Sequence, residues 1–329
     1  MSSSRRGFLA GLGATSALAA VSRAARAASS CPFRLAVIND EISQDFDHAC
    51  FVAAHDFGLQ WIELRGMWNK NITELDASEL ERSRKILAKY NLRVTDIASP
   101  LFKVNWPGAP LSRFSPRHAE FHADFDFKQQ DQVLERCIAL SKTFGTDRIR
   151  CFDFWRLDDQ KPYRAAINDK LRQAARTCAR HDLILLLENE PDCNTGSGKE
   201  AAETLAAVTE SNFMLNWDPG NSATFAGDVP YPNDYDLLPK HRIGHCHCKD
   251  TIRKPDGKSV WAPVGGGMVD WVGQFRAFQR DGYHDAVSLE THWRGGKPEP
   301  GSNMGVAEAS SRISMKGLKE CLAKAGAHC

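Results

Sequence analysis

The chain has no C-x-x-C pair, no G-x-G-x-x-G stretch after an early strand, and no surplus of either charge. Without paired knuckles, its ten cysteines offer no finger-type structural zinc site, although one stretch mixes Cys and His closely. Several of them sit in apolar runs (Cys137, Cys151, Cys178) and read as small buried residues. No disulfide framework is legible, and a single bridge in an exported chain stays open. The missing glycine fingerprint argues against a dinucleotide-binding open sheet. With 42 Lys and Arg against 41 Asp and Glu, the formal charge of +1 gives no reason to expect nucleic acid or an acidic membrane as partner. No composition shift marks a second domain, and 329 residues with 42% apolar content suffice for one large core.

The N-terminus carries a strong local signal. Ser4-Arg5-Arg6-Gly7-Phe8-Leu9 is a twin-arginine pattern, followed by an Ala- and Gly-rich run from Leu9 to Val21. Ala25-Arg26-Ala27 then supplies a small-x-small cleavage site. The run is too short and too weakly apolar to span a bilayer. The expectation is a signal peptide over residues 1–27 and a mature chain over 28–329 that works in the periplasm, with no stable membrane anchor after cleavage.

From Phe33 onward, short apolar segments alternate with amphipathic ones. The strands are expected at Arg34–Ile38, Trp61–Leu64, Arg93–Ile97, Arg148–Phe152, Ile184–Glu188, Phe213–Trp217, Ile243–His247 and Ala286–Glu290. Helical patterns cover Ser78–Tyr90, Gln130–Phe144, Tyr163–Arg180, Ala201–Thr209, Trp271–Asp281 and Val306–Ala325. Eight strand–helix units of this length predict an α/β fold, a parallel (β/α)8 TIM barrel. The stretch from Lys103 to about Phe125, with Trp106, reads as a long strand-to-helix loop, and loops of that length are usually functional.

In such a barrel the C-terminal strand ends open on one face, where catalytic groups collect. Three of these strands end in an acid: Leu187-Glu188, Trp217-Asp218 and Leu289-Glu290. The seventh, in Ile243-Gly-His-Cys-His-Cys-Lys-Asp250, places His245 and His247 on one face and Cys246 and Cys248 on the other. Glu188, Asp218, His247 and Glu290 therefore meet at one mouth. Three buried carboxylates cannot all ionise without compensation, and one divalent cation supplies it. An oxygen-rich set with one nitrogen suits Mn²⁺, Mg²⁺ or Co²⁺, with Zn²⁺ also accommodated. Each acid alone is explained equally well as a helix cap or ion-pair partner; three acids in register with a histidine are not.

These residues resemble the sugar phosphate isomerase/epimerase superfamily, the xylose isomerase-like barrels. The resemblance covers nearly all of the mature chain: Val37-Ile38-Asn39-Asp40-Glu41-Ile42-Ser43, Ile62-Glu63-Leu64-Arg65, Leu187-Glu188-Asn189-Glu190, Trp217-Asp218-Pro219-Gly220-Asn221, His245-Cys246-His247-Cys248-Lys249-Asp250, Gly265-Gly266-Gly267 and Leu289-Glu290-Thr291-His292-Trp293. It implies a metal held by Glu188, Asp218, His247 and Glu290, and a substrate-contacting Arg at Arg253. Two positions depart from the ketose 3-epimerase pattern, with Asn194 where those enzymes have a Glu and Asn221 where they have a His. Asn194, Asn221, His245, Lys249 and Trp106 complete the expected substrate contacts.

The implied activity is metal-dependent isomerisation or epimerisation of a small carbohydrate, a sugar or keto-sugar, through an enediolate, with Glu188 and Glu290 as acid and base. Elimination from a keto-sugar or 3-keto-glycoside, as in a lyase or dehydratase, is the alternative, and a non-catalytic carbohydrate-binding barrel is a third. A homo-oligomer stays open. Glu63 and Arg65 on one face of the second strand read equally as mouth residues or a buried pair. Trp155, Trp217, Trp261 and Trp293 read as packing or as aromatic walls for a sugar ring.

Overall fold

The computed structural model describes residues 31–115, 125–298 and 300–329. The signal-peptide expectation and residues 116–124 of the long loop lie outside them. Eight strands form the barrel: β1 (Arg34–Val37), β2 (Trp61–Leu64), β3 (Arg93–Ile97), β4 (Arg148–Cys151), β5 (Ile184–Glu188), β6 (Phe213–Trp217), β7 (Ile243–Cys248) and β8 (Ala286–Leu289). They pair in the order β1-β8-β7-β6-β5-β4-β3-β2, and a parallel bridge between Ile38 and Glu63 joins the two ends of that row. Continuous apolar runs such as Leu185-Leu186-Leu187 suit strands buried on both faces, against the barrel interior and against the helices.

Around the barrel run α1 (Phe46–Phe51), α2 (Ala77–Lys89), α3 (Gln130–Phe144), α4 (Arg164–Ala179), α5 (Gly198–Ala207), α6 (Trp271–Arg280) and α7 (Val306–Lys324). Their starts are set locally: Asp76 with Glu79 and Ser197 with Glu200 form reciprocal capping boxes. The end of α3 is set by Gly145, whose φ of 68° puts it in the left-handed region. The sixth strand–helix unit departs from the expected regularity. After β6 come only short helical pieces, Pro219–Ser222, Pro230–Asp234 and Tyr235–Leu237. Pro219, Pro230 and Pro232 lack the N–H that a longer helix would need there.

Two features fix the mouth of the barrel. After β7 the chain turns into a hairpin, Asp250–Arg253 against Ser259–Ala262, which carries Trp261. The Asp250 carboxylate then accepts backbone N–H bonds from Thr251, Gly265, Gly267 and Val269 at 2.9–3.1 Å. That clasp explains Gly267, because a Cβ there would meet Asp250 Oδ1 at 2.1 Å. In the long loop, Trp106 packs edge-on against Phe154, which follows β4, and Phe127, just before α3, so its ring belongs to an aromatic cluster that anchors the loop.

Eight cysteines are free and buried, as their apolar settings suggested. The remaining two form a bridge that no spacing rule disclosed, Cys31 to Cys329, closing 298 residues of chain. One partner precedes β1 and the other follows α7, and only the closed barrel brings them together. Because the cross-link removes freedom chiefly from the unfolded chain, Cys31→Ser is expected to lower stability by about 2–4 kcal/mol. Thermal unfolding with and without reductant measures this; a melting temperature unchanged by the substitution would contradict it.

Candidate metal centre

Register delivers the site residues. Ser288 lies beside His247, and Ala286 beside His245, in the β7–β8 pairing, while Asn216 of β6 lies beside His245. His245 and His247 therefore point into the barrel together, with Cys246 and Cys248 turned into the packing behind the strand. Glu188 ends β5, Asp218 follows β6, and Glu290 follows β8 with its N–H still bonded to the Cys248 carbonyl.

Glu188, Asp218, His247 and Glu290 each offer a ligand atom, and these four atoms lie within 4.8 Å of one another, all of them buried. His247 Nδ1 is 3.2 Å from Glu188 Oε1, 3.2 Å from Glu290 Oε2 and 3.9 Å from Asp218 Oδ2. Ligands on opposite sides of one ion stand about 4.2 Å apart, so the set closes on a divalent cation with side-chain shifts of about half an ångström. Asp218 spends Oδ1 on the N–H of Asn221, as the cap of the short helix, while its buried Oδ2 accepts no hydrogen bond. Asn189 fixes that aspartate by accepting its N–H and donating to its carbonyl.

Behind the ligands lies a second layer, in which Glu63 and Arg65 are both buried but bond to other partners rather than to each other. His247 Nε2 is 2.9 Å from Glu63 Oε1, so the ring can give its proton to a carboxylate and keep Nδ1 for an ion. Glu63 Oε2 reaches His245 Nε2 at 3.2 Å, and Asp96 flanks the far side of that ring. Arg150, from β4, stands 3.1 Å from Glu188 Oε2, and Arg65 donates to Glu290 Oε1 at 2.8 Å. Arg65 also grips Glu41 and Asp40, and His292 reaches Glu290 Oε1 at 3.1 Å. An arginine at an inward position of a strand as buried as β4 was the signal available for Arg150.

The electrostatics follow from this crowding. Burial pushes the Asp218 carboxyl up to about 7, Lys249 pulls it back, and the charges of Glu290 and Glu188 add to the push. Burial also raises Glu188, but His247 and Arg150 overcome it and hold the carboxyl down at about 2. Glu290 is held well below its ordinary range, burial being outweighed by Lys249, His292 and His247. His247 is raised far above the usual imidazole value, because Glu63, Glu188 and Glu290 outweigh its burial. Two acids stay charged while the third resists ionising, the imbalance that a bound cation relieves.

The other expected contacts divide into two groups. Lys249 lies inside the cluster, 2.6 Å from Glu290 Oε2 and 3.0 Å from Asp218 Oδ2. Asn221 borders it, its amide 3.4 Å from Glu188 Oε1, and His245 lies one layer deeper. Asn194 is elsewhere engaged: its amide donates to the carbonyls of Asp153, Phe154 and Trp155 and accepts from the N–H of Leu157. Arg253 donates to the carbonyls of Ala223 and Phe225, tying the hairpin to the loop after β6. Spacing along the chain located both residues near the mouth but not where their side chains bond. Trp217 is core, donating to Gln274, whereas half-buried Trp261 meets His292 edge-on at 5.1 Å.

Comparison with known proteins agrees with this architecture. The profile of the xylose isomerase-like TIM barrel family matches residues 51–320. A 3-dehydroshikimate dehydratase of Bacillus anthracis is 23% identical over 167 residues, which is 50% of this chain and 53% of that protein. The chain thus spans about half the length of this curated relative. Among solved structures, the IOLI protein with a bound zinc atom superposes with a TM-score of 0.65 at 16% identity, covering 89% of this chain and 99% of that one. A D-psicose 3-epimerase of Clostridium cellulolyticum H10, solved with D-tagatose, gives 0.62 at 14% identity, covering 90% and 100%.

Glu63→Gln removes the carboxylate that fixes the His247 ring. Divalent-metal affinity, measured by chelator competition, is expected to fall about 10–100-fold. Unchanged affinity would show that the ring is oriented by something else.

Proposed function

Since the chain belongs to the xylose isomerase-like TIM barrel family, we propose that it is a divalent-metal-dependent isomerase or epimerase that acts on a sugar or keto-sugar through an enediolate. One observation carries this reading: two glutamates, from the ends of β5 and β8, stand 3.2 Å from the same imidazole nitrogen, with Asp218 beside them. A divalent ion held by Glu188, Asp218, His247 and Glu290, with Mn²⁺ the first choice and Mg²⁺, Co²⁺ or Zn²⁺ alternatives, supplies the positive charge that acidifies a carbon-bound proton beside a carbonyl.

The residues then divide the proton work. Arg150, 3.1 Å from the outer oxygen Oε2, keeps the Glu188 carboxylate charged, and this carboxylate is the base that takes the proton. Glu290 returns one. Its Oε1 meets His292, whose side chain is 24% exposed and links the buried acid to solvent. Return to the opposite face of the same carbon is epimerisation, and return to the neighbouring carbon is isomerisation. Lys249 and Asn221 border the reacting position and orient substrate oxygens, and Trp261 offers a wall for a ring face.

Charge pairing supports an uncharged substrate. Arg65 is bound by Asp40, Glu41 and Glu290, Arg294 by Glu41, and Arg150 by Glu188 and the carbonyls of Ala98 and Ser99. Each of these guanidinium groups already has its counter-charge, which disfavours a phosphorylated sugar. A second reading, elimination from a keto-sugar or 3-keto-glycoside, is favoured by the dehydratase relative; it shares the first proton abstraction and differs in losing a β-substituent afterwards. The proposed workplace is the periplasm, after twin-arginine export. The Cys31–Cys329 bridge supports this, because such bonds persist in oxidising compartments.

The test is exchange of substrate carbon-bound hydrogen in D₂O across a panel of ketoses and keto-glycosides, using the Mn²⁺-loaded mature protein. Wild type is expected to exchange, and Glu290→Gln to lose about 10²–10⁴-fold of that rate with its fold intact. Exchange untouched by the substitution would remove Glu290 from the mechanism. Binding without any exchange would favour a non-catalytic carbohydrate-binding barrel.

A further inference from the structure

Lys249 is the one permanent cation among the described residues whose charged atom sits between proposed metal ligands and contacts two of them. Its side chain is 1% exposed, with Nζ 2.6 Å from Glu290 Oε2, 3.0 Å from Asp218 Oδ2 and 4.0 Å from Glu188 Oε1. The position is built into the fold. The lysine stem runs across Gly220, where a Cβ would meet Lys249 Cγ at 2.6 Å, so the bare backbone of residue 220 leaves the channel that the stem follows. On the outer side, Nζ lies 5.3 Å from the centroid of the Trp261 ring, close enough for a cation–π contact.

We propose that Lys249 is a resident counter-cation of the metal centre, whose ammonium and an incoming divalent ion compete for Asp218 Oδ2 and Glu290 Oε2. An ammonium and a divalent ion held on the same two oxygens repel each other at close range, so ion entry drives the ammonium outward, toward Trp261 and the substrate. The lysine also compensates the clustered acids when no ion is held, which lets the barrel stand without metal. This inference rests on the metal-centre reading given above.

The experiment is Mn²⁺ titration of chelator-stripped wild type, Lys249→Met and Lys249→Gln, with thermal unfolding of each metal-free protein. Both variants are expected to bind Mn²⁺ about tenfold tighter or more, the scale on which neighbours of metal ligands change affinity, and their metal-free forms to melt below wild type. Affinity that is unchanged or weaker in the variants overturns the proposal. A wild type that binds none of Mn²⁺, Mg²⁺, Co²⁺ or Zn²⁺ overturns the metal-centre reading itself, a separate and recognisable failure. If neither variant folds, wild-type crystals grown with Mn²⁺ and with chelator decide. Nζ must leave the Asp218 and Glu290 oxygens in the first and contact them in the second, and the same position in both overturns the proposal.

Discussion

Repulsion among acids in a dry place is the constraint that organises this molecule. Glu41, Glu63, Asp96, Glu188, Asp218 and Glu290 are all buried at one end of the barrel, against three permanent cations, Arg65, Arg150 and Lys249. A buried carboxylate without compensation either takes up a proton or destabilises the fold. Here the outer oxygens of the two glutamates are set against arginines, while the inner oxygens and Asp218 Oδ2 face one small volume beside His247 Nδ1. The acids are thus sorted, so that each guanidinium neutralises an oxygen turned away from the reacting position and the remaining negative charge is concentrated where a cation can use it.

The barrel makes that sorting rigid. Pairing of β7 with β8 and β6 places His247 beside Ser288, and Asn216 beside His245, so the imidazole carrying the centre is held by backbone register. Glu63 then fixes which ring nitrogen faces the acids. Around the mouth, Asp250 gathers four backbone N–H groups into one carboxylate and so holds the glycine-rich loop close to the hairpin that carries Trp261. Sites of this kind depend on the layer that supports them as much as on the ligands.

Much of this was legible in the chain. The eight strands were readable as short segments rich in buried apolar residues, recurring between helical patterns, and their limits agree with the observed ones to within a residue. The four proposed ligands were readable because each lies at, or just after, the C-terminal end of such a strand. What the chain alone leaves open depends on side chains meeting across the barrel. Glu63 and Arg150 gain their meaning only from His247 and Glu188, which lie 184 and 38 positions away in the chain. Asn194 and Arg253 show the reverse: positions chosen by spacing along the chain, whose side chains bond to backbone carbonyls nearby. The Cys31–Cys329 bridge joins residues 298 positions apart, a pairing that only the closed ring brings within reach.

Anomalous diffraction from crystals of the mature protein grown with Mn²⁺ tests the central claim most directly. The account predicts one peak per chain, about 2.0–2.2 Å from one atom each of Glu188, Asp218, His247 and Glu290. A peak held by other residues, or none at millimolar Mn²⁺ near neutral pH, would contradict it.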